Sequence, residues 1–302
     1  MKASAGSALA ALWALEGCGR APTEATQTAD AALAAATESA VEGIDSASAE
    51  EANLASGATL RVAFAGIPLQ FDPAVMSANT AIQAAIAVYE GLVWVDQDLT
   101  VQPALAEEWT VADDLLSWTF KLRQDVEFHH GTLLTAQDVV YTFQRLLDPA
   151  VGSPMRSVLS FVASVEAIDD GTSAGAVRFT LTAANADLPL LCGAPQALIV
   201  SHEYDSELLP KAPSGTGPFH VAELIPSQQI KFVRNERYWA ANEIALQQLV
   251  HIYMPSFEAR AAALQAGEID MLPDISSAEA ALLAAAEMID IAESPAAPTR
   301  RL

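Results

Sequence analysis

The sequence predicts an α/β or α+β chain and not an all-helical bundle. Thr59 to Phe64 and Ser117 to Leu122 alternate apolar and polar side chains, the period of a half-buried strand. Val139, Phe143 and Leu146 or Leu147 recur at helical spacing after Thr135 and Asp138. Val162 to Ile168 and Val177 to Leu181 flank Asp169-Asp170-Gly171, which is β-hairpin spacing.

Taken in order, predicted structure begins with the strand at Thr59. Phe71-Asp72-Pro73 then makes a turn, because proline keeps the residue before it out of the helical region. Residues 79–92 read as a helix: Ile82, Ile86, Tyr89 and Val93 fall on one side, Asn79 or Thr80 can cap the start, and Gly91 sits at the end. Leu92 to Val95 reads as a short strand and Asp96-Gln97-Asp98 as a turn. Pro103 to Trp109 reads as a short helix. The Thr135 hydroxyl can satisfy free backbone donors of the next helix, with Asp138 in the place a capping box gives to Glu. Asp148-Pro149 stops that helix. Leu188 to Cys192 and Ala197 to Ser201 are apolar segments on either side of Pro195. Gly215 to Phe219 turns into a strand, and Ile230 to Arg234 and Leu249 to Met254 are further strands. Phe257 to Gly267 reads as a helix, Ile269-Asp270-Met271 as a strand after its glycine stop, and Ser277 to about Glu287 as a last helix.

A length of 302 residues allows one large domain or two ordinary ones. Apolar residues make up 52%, enough to build a core, although many are alanine. A net charge of -23 excludes a nucleic-acid binder, which needs a basic face to displace counterions from phosphate. It also excludes adhesion to anionic lipid through basic residues. The two cysteines, Cys18 and Cys192, are too few for a disulfide scaffold or a cysteine-only zinc site. No apolar run reaches the roughly 18 residues of a membrane-spanning helix.

The first 56 residues have a different character. Lys2, the apolar run Ala8 to Leu15 and the small residues around Gly17 follow a secretory signal pattern. Leu15-Glu16-Gly17-Cys18 resembles a bacterial lipobox, with Glu16 as a departure, and makes Cys18 the expected lipid attachment. Residues 1–18 are thus read as a lipoprotein-type signal. Residues 19–56 hold seven acids and one base with no large apolar periodicity. Such a stretch cannot bury enough surface to offset its ordering entropy and reads as a disordered acidic linker. The expected location is extracytoplasmic, periplasmic or at the cell surface, with membrane contact only through the anchor.

Within 57–302, eight strings occur in a telling order. They are Val88-Tyr89-Glu90-Gly91-Leu92-Val93, then Pro103-Ala104-Leu105-Ala106-Glu107-Glu108-Trp109. Trp118-Thr119-Phe120-Lys121-Leu122-Arg123 follows, then Val126 to Gly131 and Leu134 to Tyr141. Gly215-Thr216-Gly217-Pro218-Phe219 and Arg234-Asn235-Glu236-Arg237-Tyr238-Trp239 come next, and Leu264 to Asp270 completes the set. From about residue 58 to 302 the chain resembles the family 5 extracellular solute-binding proteins of ABC importers. His130 departs from the usual Asp or Asn.

The resemblance implies an α/β fold of the periplasmic-binding-protein type II kind, first lobe only, a mixed sheet with flanking helices. It implies a core subdomain from 57–76 and 215–302 and an inserted subdomain at 77–214. Family members are longer: their chain crosses into a second lobe and returns. Ile291 to Pro295 resembles the approach to that crossing, so the second lobe is expected to be absent, as in a truncated member.

The implied function is reversible binding of peptides or a similar small solute for delivery to the permease subunits in the membrane. No cofactor is implied. An extended peptide is held largely by backbone hydrogen bonds to strand edges. By resemblance, the loop with Ile67, Pro68, Leu69 and Gln70 faces the ligand, as do Met76, Tyr89 and the segment Ala194, Pro195, Gln196. Core packing is the bland reading for Tyr89, and gap filling for Met76.

Other chemistries find less support. His129 and His130 point to opposite faces of an extended segment and chelate poorly, so no metal site is expected there; a solvated loop before Gly131 is. Asp96, Asp98, Asp113 and Asp114 lack the spacing of a calcium loop and read as turn residues. The phosphate-binding loop is absent, and the one Gly-x-Ser-x-Gly string, Gly171-Thr172-Ser173-Ala174-Gly175, falls in the turn of the predicted hairpin and not at the strand-to-helix elbow that exposes a nucleophile. Cys192 lies in an apolar run and reads as a buried thiol, with His202 and Glu203 not far along the chain. The rival readings are a non-functional truncated fragment and, further behind, a secreted hydrolase.

Overall fold

Strand β1 (Thr59–Phe64) lies parallel to β10 (Gln248–Tyr253), with Val62 opposite His251 and Phe64 opposite Tyr253. The computed structural model describes residues 58–66, 70–96, 98–284 and 289–292. The expected signal and linker, Cys18, Pro68 and Leu69 lie outside them. Beyond β10 come β9 (Gln229–Arg234) and β8 (Phe219–Ile225), both antiparallel, which gives a mixed sheet of order β1-β10-β9-β8. Helix α1 (Asn79–Val88) packs on this sheet against β8.

The buried side of α1 is Ala81, Ala84, Ala85, Ala87 and Val88, while Ile82 and Ile86 are only half-buried. Sequence periodicity named the large residues as the inner face. The structure instead turns mainly alanine methyl groups inward, and glycine backbone at 215–217 approaches the last residues of this helix closely. The start is formed by Ala78 without a side-chain cap, not by Asn79 or Thr80, and the helix stops at Val88, short of Leu92.

A second sheet is fully antiparallel, of order β4-β5-β7-β6, from β4 (Ala106–Val111), β5 (Ser117–Leu122), β6 (Val162–Ile168) and β7 (Ala176–Leu181). Helix α2 (Ala136–Leu147) covers it, with Val139, Phe143 and Leu146 buried. Phe143 meets the Phe179 ring edge-on at 4.8 Å, and Phe179 meets Phe120 at 5.5 Å. At the start of α2 the Thr135 amide and hydroxyl both donate to Asp138 Oδ2, at 2.8 and 2.9 Å. The expected partnership of Thr135 and Asp138 therefore forms. A short ribbon, β2 (Val93–Val95) with β3 (Val101–Pro103), and helices α3 (Met155–Val158) and α4 (Leu188–Cys192) complete this side.

Pro103 to Trp109 is not a helix: it holds the end of β3 and most of β4. Ala, Leu and Glu favour helix intrinsically, but pairing with β5 overrides a weak local preference. Trp109 lies opposite Phe120 with ring centroids 6.1 Å apart. Ile269-Asp270-Met271 is likewise no full strand and makes a single parallel bridge from Met271 to Val62. Helix α5 (Phe257–Gln265) precedes it and α6 (Ser277–Leu283) follows. The expected end of α6 near Glu287 falls outside the described residues.

Candidate functional site

The loop after β1 returns to the fold at Asp72. Pro73 holds Asp72 extended (φ −74°, ψ 110°), and a single turn of 3-10 helix, Pro73–Val75, follows. One Asp72 oxygen accepts the Ala74 amide at 3.1 Å. The same carboxylate takes both ends of the Arg145 guanidinium, at 2.6 and 3.1 Å, with both side chains nearly buried. Arg145 sits in the last turn of α2, on the second sheet. The forked pair therefore ties the loop of one sheet to the helix of the other. Arg145→Met is expected to lower unfolding stability by about 3 kcal/mol, since it strands a nearly buried carboxylate. Arg145→Lys is expected to restore only part, because an ammonium cannot bond both oxygens in a fork. Urea unfolding of the three proteins checks this; equal stabilities would count against it.

The structure brings two of the expected ligand residues together. Met76 closes the Pro73–Val75 turn and is buried, and its carbonyl accepts Gln196 Nε2 at 2.8 Å. Ala194, Pro195 and Gln196 are half-buried at the start of a second 3-10 turn, Pro195–Ala197. Tyr89 lies within electrostatic reach of the Asp72–Arg145 pair. It closes α1, is 1% exposed, and its hydroxyl has no hydrogen-bond partner among the described residues. Burial pushes its phenol far above the usual range. Gln70 is half-buried in the wall of a cleft that Met76, Tyr89 and Ala194–Gln196 do not line.

Glu90 is a hub that sequence reasoning quoted only as a letter in a string. Its Oε1 accepts the Tyr238 hydroxyl at 2.8 Å, its Oε2 accepts the Thr216 hydroxyl at 3.0 Å, and Trp239 Nε1 reaches both oxygens at 3.1 and 3.2 Å. The Trp239 ring in turn lies 3.9 Å from the Arg123 guanidinium, a residue that follows β5. A signal was present: a carboxylate just past a helix C-terminus opposes the helix dipole and needs donors from elsewhere. Glu90→Ala leaves three donors without this acceptor and is expected to cost about 3 kcal/mol, read by tryptophan fluorescence during unfolding. An unchanged midpoint would remove Glu90 from this role.

The 129–131 segment is not the solvated loop expected from the sequence. The His129 amide donates to Gly215 O at 2.8 Å, and the Gly215 amide donates to His129 Nδ1 at 3.3 Å. That assigns the ring proton to Nε2, which donates to Gly217 O at 3.0 Å. Desolvation holds His129 well below its usual value, at about 4. His130 bonds Ser214 Oγ and Thr132 Oγ1 through its two nitrogens, at 2.7 and 2.8 Å. Among the described residues no group of three or more His, Cys, Asp or Glu is placed to hold a metal. Asp96 accepts the Asp98 and Thr100 amides, and Asp169 accepts that of Gly171, as turn residues do. Cys192 is buried, its thiol pushed far up by desolvation, the state of an inert core thiol. His202 pairs with Asp138 at 2.8 Å.

Residues 100–302 match the model of the bacterial extracellular solute-binding proteins, family 5, middle region. Heme-binding protein A of Haemophilus influenzae is 36% identical over 249 residues, 74% of this chain and 45% of that one. Di/tripeptide-binding protein 1 of Pseudomonas aeruginosa is 32% identical, covering 67% of this chain and 42% of that one. The solved dipeptide-binding protein from Pseudoalteromonas sp. SM9913, in complex with Met-Leu, superposes with a TM-score of 0.68 at 27% identity. That match covers 76% of this chain and 50% of the other. The chain spans about half the length of the curated relatives it matches. Among the described residues no helix is long and apolar enough to cross a membrane. With its mixed α/β sheets and this family match, the chain belongs to the bacterial extracellular solute-binding proteins, family 5.

Proposed function

We propose that the chain acts in the solute-binding component of an ABC importer and supplies one wall of the binding cleft. The ligand is a peptide or a similar small solute, held reversibly outside the cytoplasm and passed to a membrane permease. The observation that carries this reading is the bond from Gln196 to the Met76 carbonyl, braced by Asp72 and Arg145. It joins the turn Pro73–Val75 to the half-buried segment 194–196, the two segments that the resemblance sets at the ligand. Relatives named for dipeptides and tripeptides support the ligand class. Within this reading Met76 and Ala194–Gln196 belong to the wall, Tyr89 supports it from the core, and Cys18 carries a lipid anchor.

The test is uptake in the source cell. Deleting the gene is expected to abolish import of labelled di- and oligopeptides, and the gene in trans should restore it. The Gln196→Ala form should restore it about tenfold less well at limiting peptide, in line with loss of one bond that positions the wall. Undiminished uptake of peptides and of other small solutes in the deletion strain would overturn the reading.

A further inference from the structure

A cleft of about 290 Å³ opens between the β8–β9 turn and the segment Pro210–Lys211. Its walls include Phe71 and Ile230, both buried, and the side chains of Leu224, Ile225 and Pro226. Ser227 turns the hairpin with a left-handed backbone (φ 62°), and the Gln228 carbonyl accepts the Tyr253 amide at 2.8 Å. That bond fixes the end of β10 beneath the turn. Tyr253 lines the cleft, is 7% exposed, and its hydroxyl has no hydrogen-bond partner among the described residues. Lys211 lies in the same wall, exposed, in a chain whose net charge is -23, and forms no ion pair among the described residues.

We propose that this cleft is a second ligand site, for a small monocarboxylate with a short branched or aromatic apolar body. The chemistry follows from what lines the walls. A phenol that is screened from water and unbonded carries an unmet cost of about 1–3 kcal/mol, which a ligand oxygen removes by accepting its proton. Lys211 supplies one positive charge, suited to one carboxylate. A phosphate dianion would need more donors than the wall offers. Phe71, Ile225, Pro226 and Ile230 favour an apolar body, and the volume equals that of about ten waters, so the ligand is small. Lys211 and Leu224 form the exposed lip of the cleft, and exposed side chains change rotamer in nanoseconds. The inference goes beyond the importer reading and does not rest on it, since the segment 194–196 lies outside the cleft.

The experiment is an amide NMR titration of the chain with 4-methylpentanoate, with 4-methylpentanamide as the uncharged control. Saturable shifts are expected at Lys211, Ile225, Ser227 and Tyr253, with an affinity about tenfold weaker for the amide. Tyr253→Phe keeps the ring and the fold and is expected to weaken the carboxylate about tenfold, and Lys211→Gln to weaken it similarly. Shifts that do not saturate, or that arise at Gln196 and Met76 instead, overturn the proposal. So does an unchanged affinity in Tyr253→Phe, even if that variant is more stable for having lost an unbonded hydroxyl.

Discussion

Gly215→Ala is expected to give no stably folded protein. A Cβ at this position would stand 2.2 Å from the Val88 carbonyl oxygen, 2.6 Å from Tyr89 Cδ1 and 2.9 Å from Tyr89 Cα. Two of those three atoms are backbone, so no rotamer relieves the overlap. The neighbouring backbone is also pinned: the Gly217 amide donates to Val88 O at 2.8 Å, and the His129 amide donates to Gly215 O. To admit one methyl, the end of α1 must lift off the 215–217 segment. That breaks these bonds and unseats the alanine face of the helix. The cost is expected to reach about 5 kcal/mol or more, comparable with the whole stability of an ordinary domain. Gly217→Ala meets Val88 C and O at 2.7 Å and is expected to behave alike. Gly171→Ala is the control. Gly171 has a left-handed backbone (φ 81°) but nothing within 4 Å of the added carbon, so its cost is expected to be about 1 kcal/mol, from conformation alone. Soluble yield and thermal unfolding by circular dichroism separate the cases. A cooperative transition for Gly215→Ala within a few degrees of the parent would refute the account.

The same contact shows what sequence could and could not reveal. Strands β1 and β5 were legible because a period of two survives in the letters, β6 because it precedes Asp169-Asp170-Gly171 at hairpin spacing, and α2 because its large residues repeat on one face and Thr135 announces its start. The face of α1 was not legible. Alanine reads as apolar filler, and its letters do not reveal that Ala81, Ala84, Ala85 and Ala87 are the residues the fold buries. The segment 103–109 misled for a related reason: its composition states a local preference, while its strand partner β5 lies beyond a turn. At the candidate site, resemblance pointed to Met76 and Gln196, and their direct bond supports grouping them. Asp72 and Arg145 escaped notice because an ion pair across 73 residues leaves no periodic trace. His129 was weighed only as a metal ligand, and that question missed its bonds to Gly215 and Gly217.

Lowering the pH from 7 to about 4.5 is expected to destabilise the protein by several kcal/mol, with His251 and His129 as the main causes. His251 is 3% exposed, packed between Phe64 at 4.6 Å and Phe232 at 5.0 Å, and its Nδ1 has no hydrogen-bond partner among the described residues. Burial without a compensating charge pushes its pKa down to about 3, against about 6.5 in an unfolded chain. Between those values the unfolded state binds a proton that the folded state refuses. Stability therefore falls as the pH drops through about 6.5, keeps falling to about 3 and then levels. The full span is on the order of 4 kcal/mol, and roughly half or more of it is spent by pH 4.5. His129 acts in the same sense, since protonating Nδ1 would also break its bond from the Gly215 amide. The carboxylates held below their usual values, such as Asp270 beside Arg61 and Glu279 at the start of α6, add their own loss toward the low end of this range and below it, so the upper part of the interval reports the histidines. His251→Phe places a third ring of similar shape in the same slot and removes the proton-binding group. It is expected to remove about half of the slope over that interval, His129 keeping the rest, while leaving the neutral-pH stability equal or higher. Urea midpoints at half-unit steps give the slope directly. If His251→Phe shows the parent's slope, the acid sensitivity arises elsewhere and the buried imidazole is not its source.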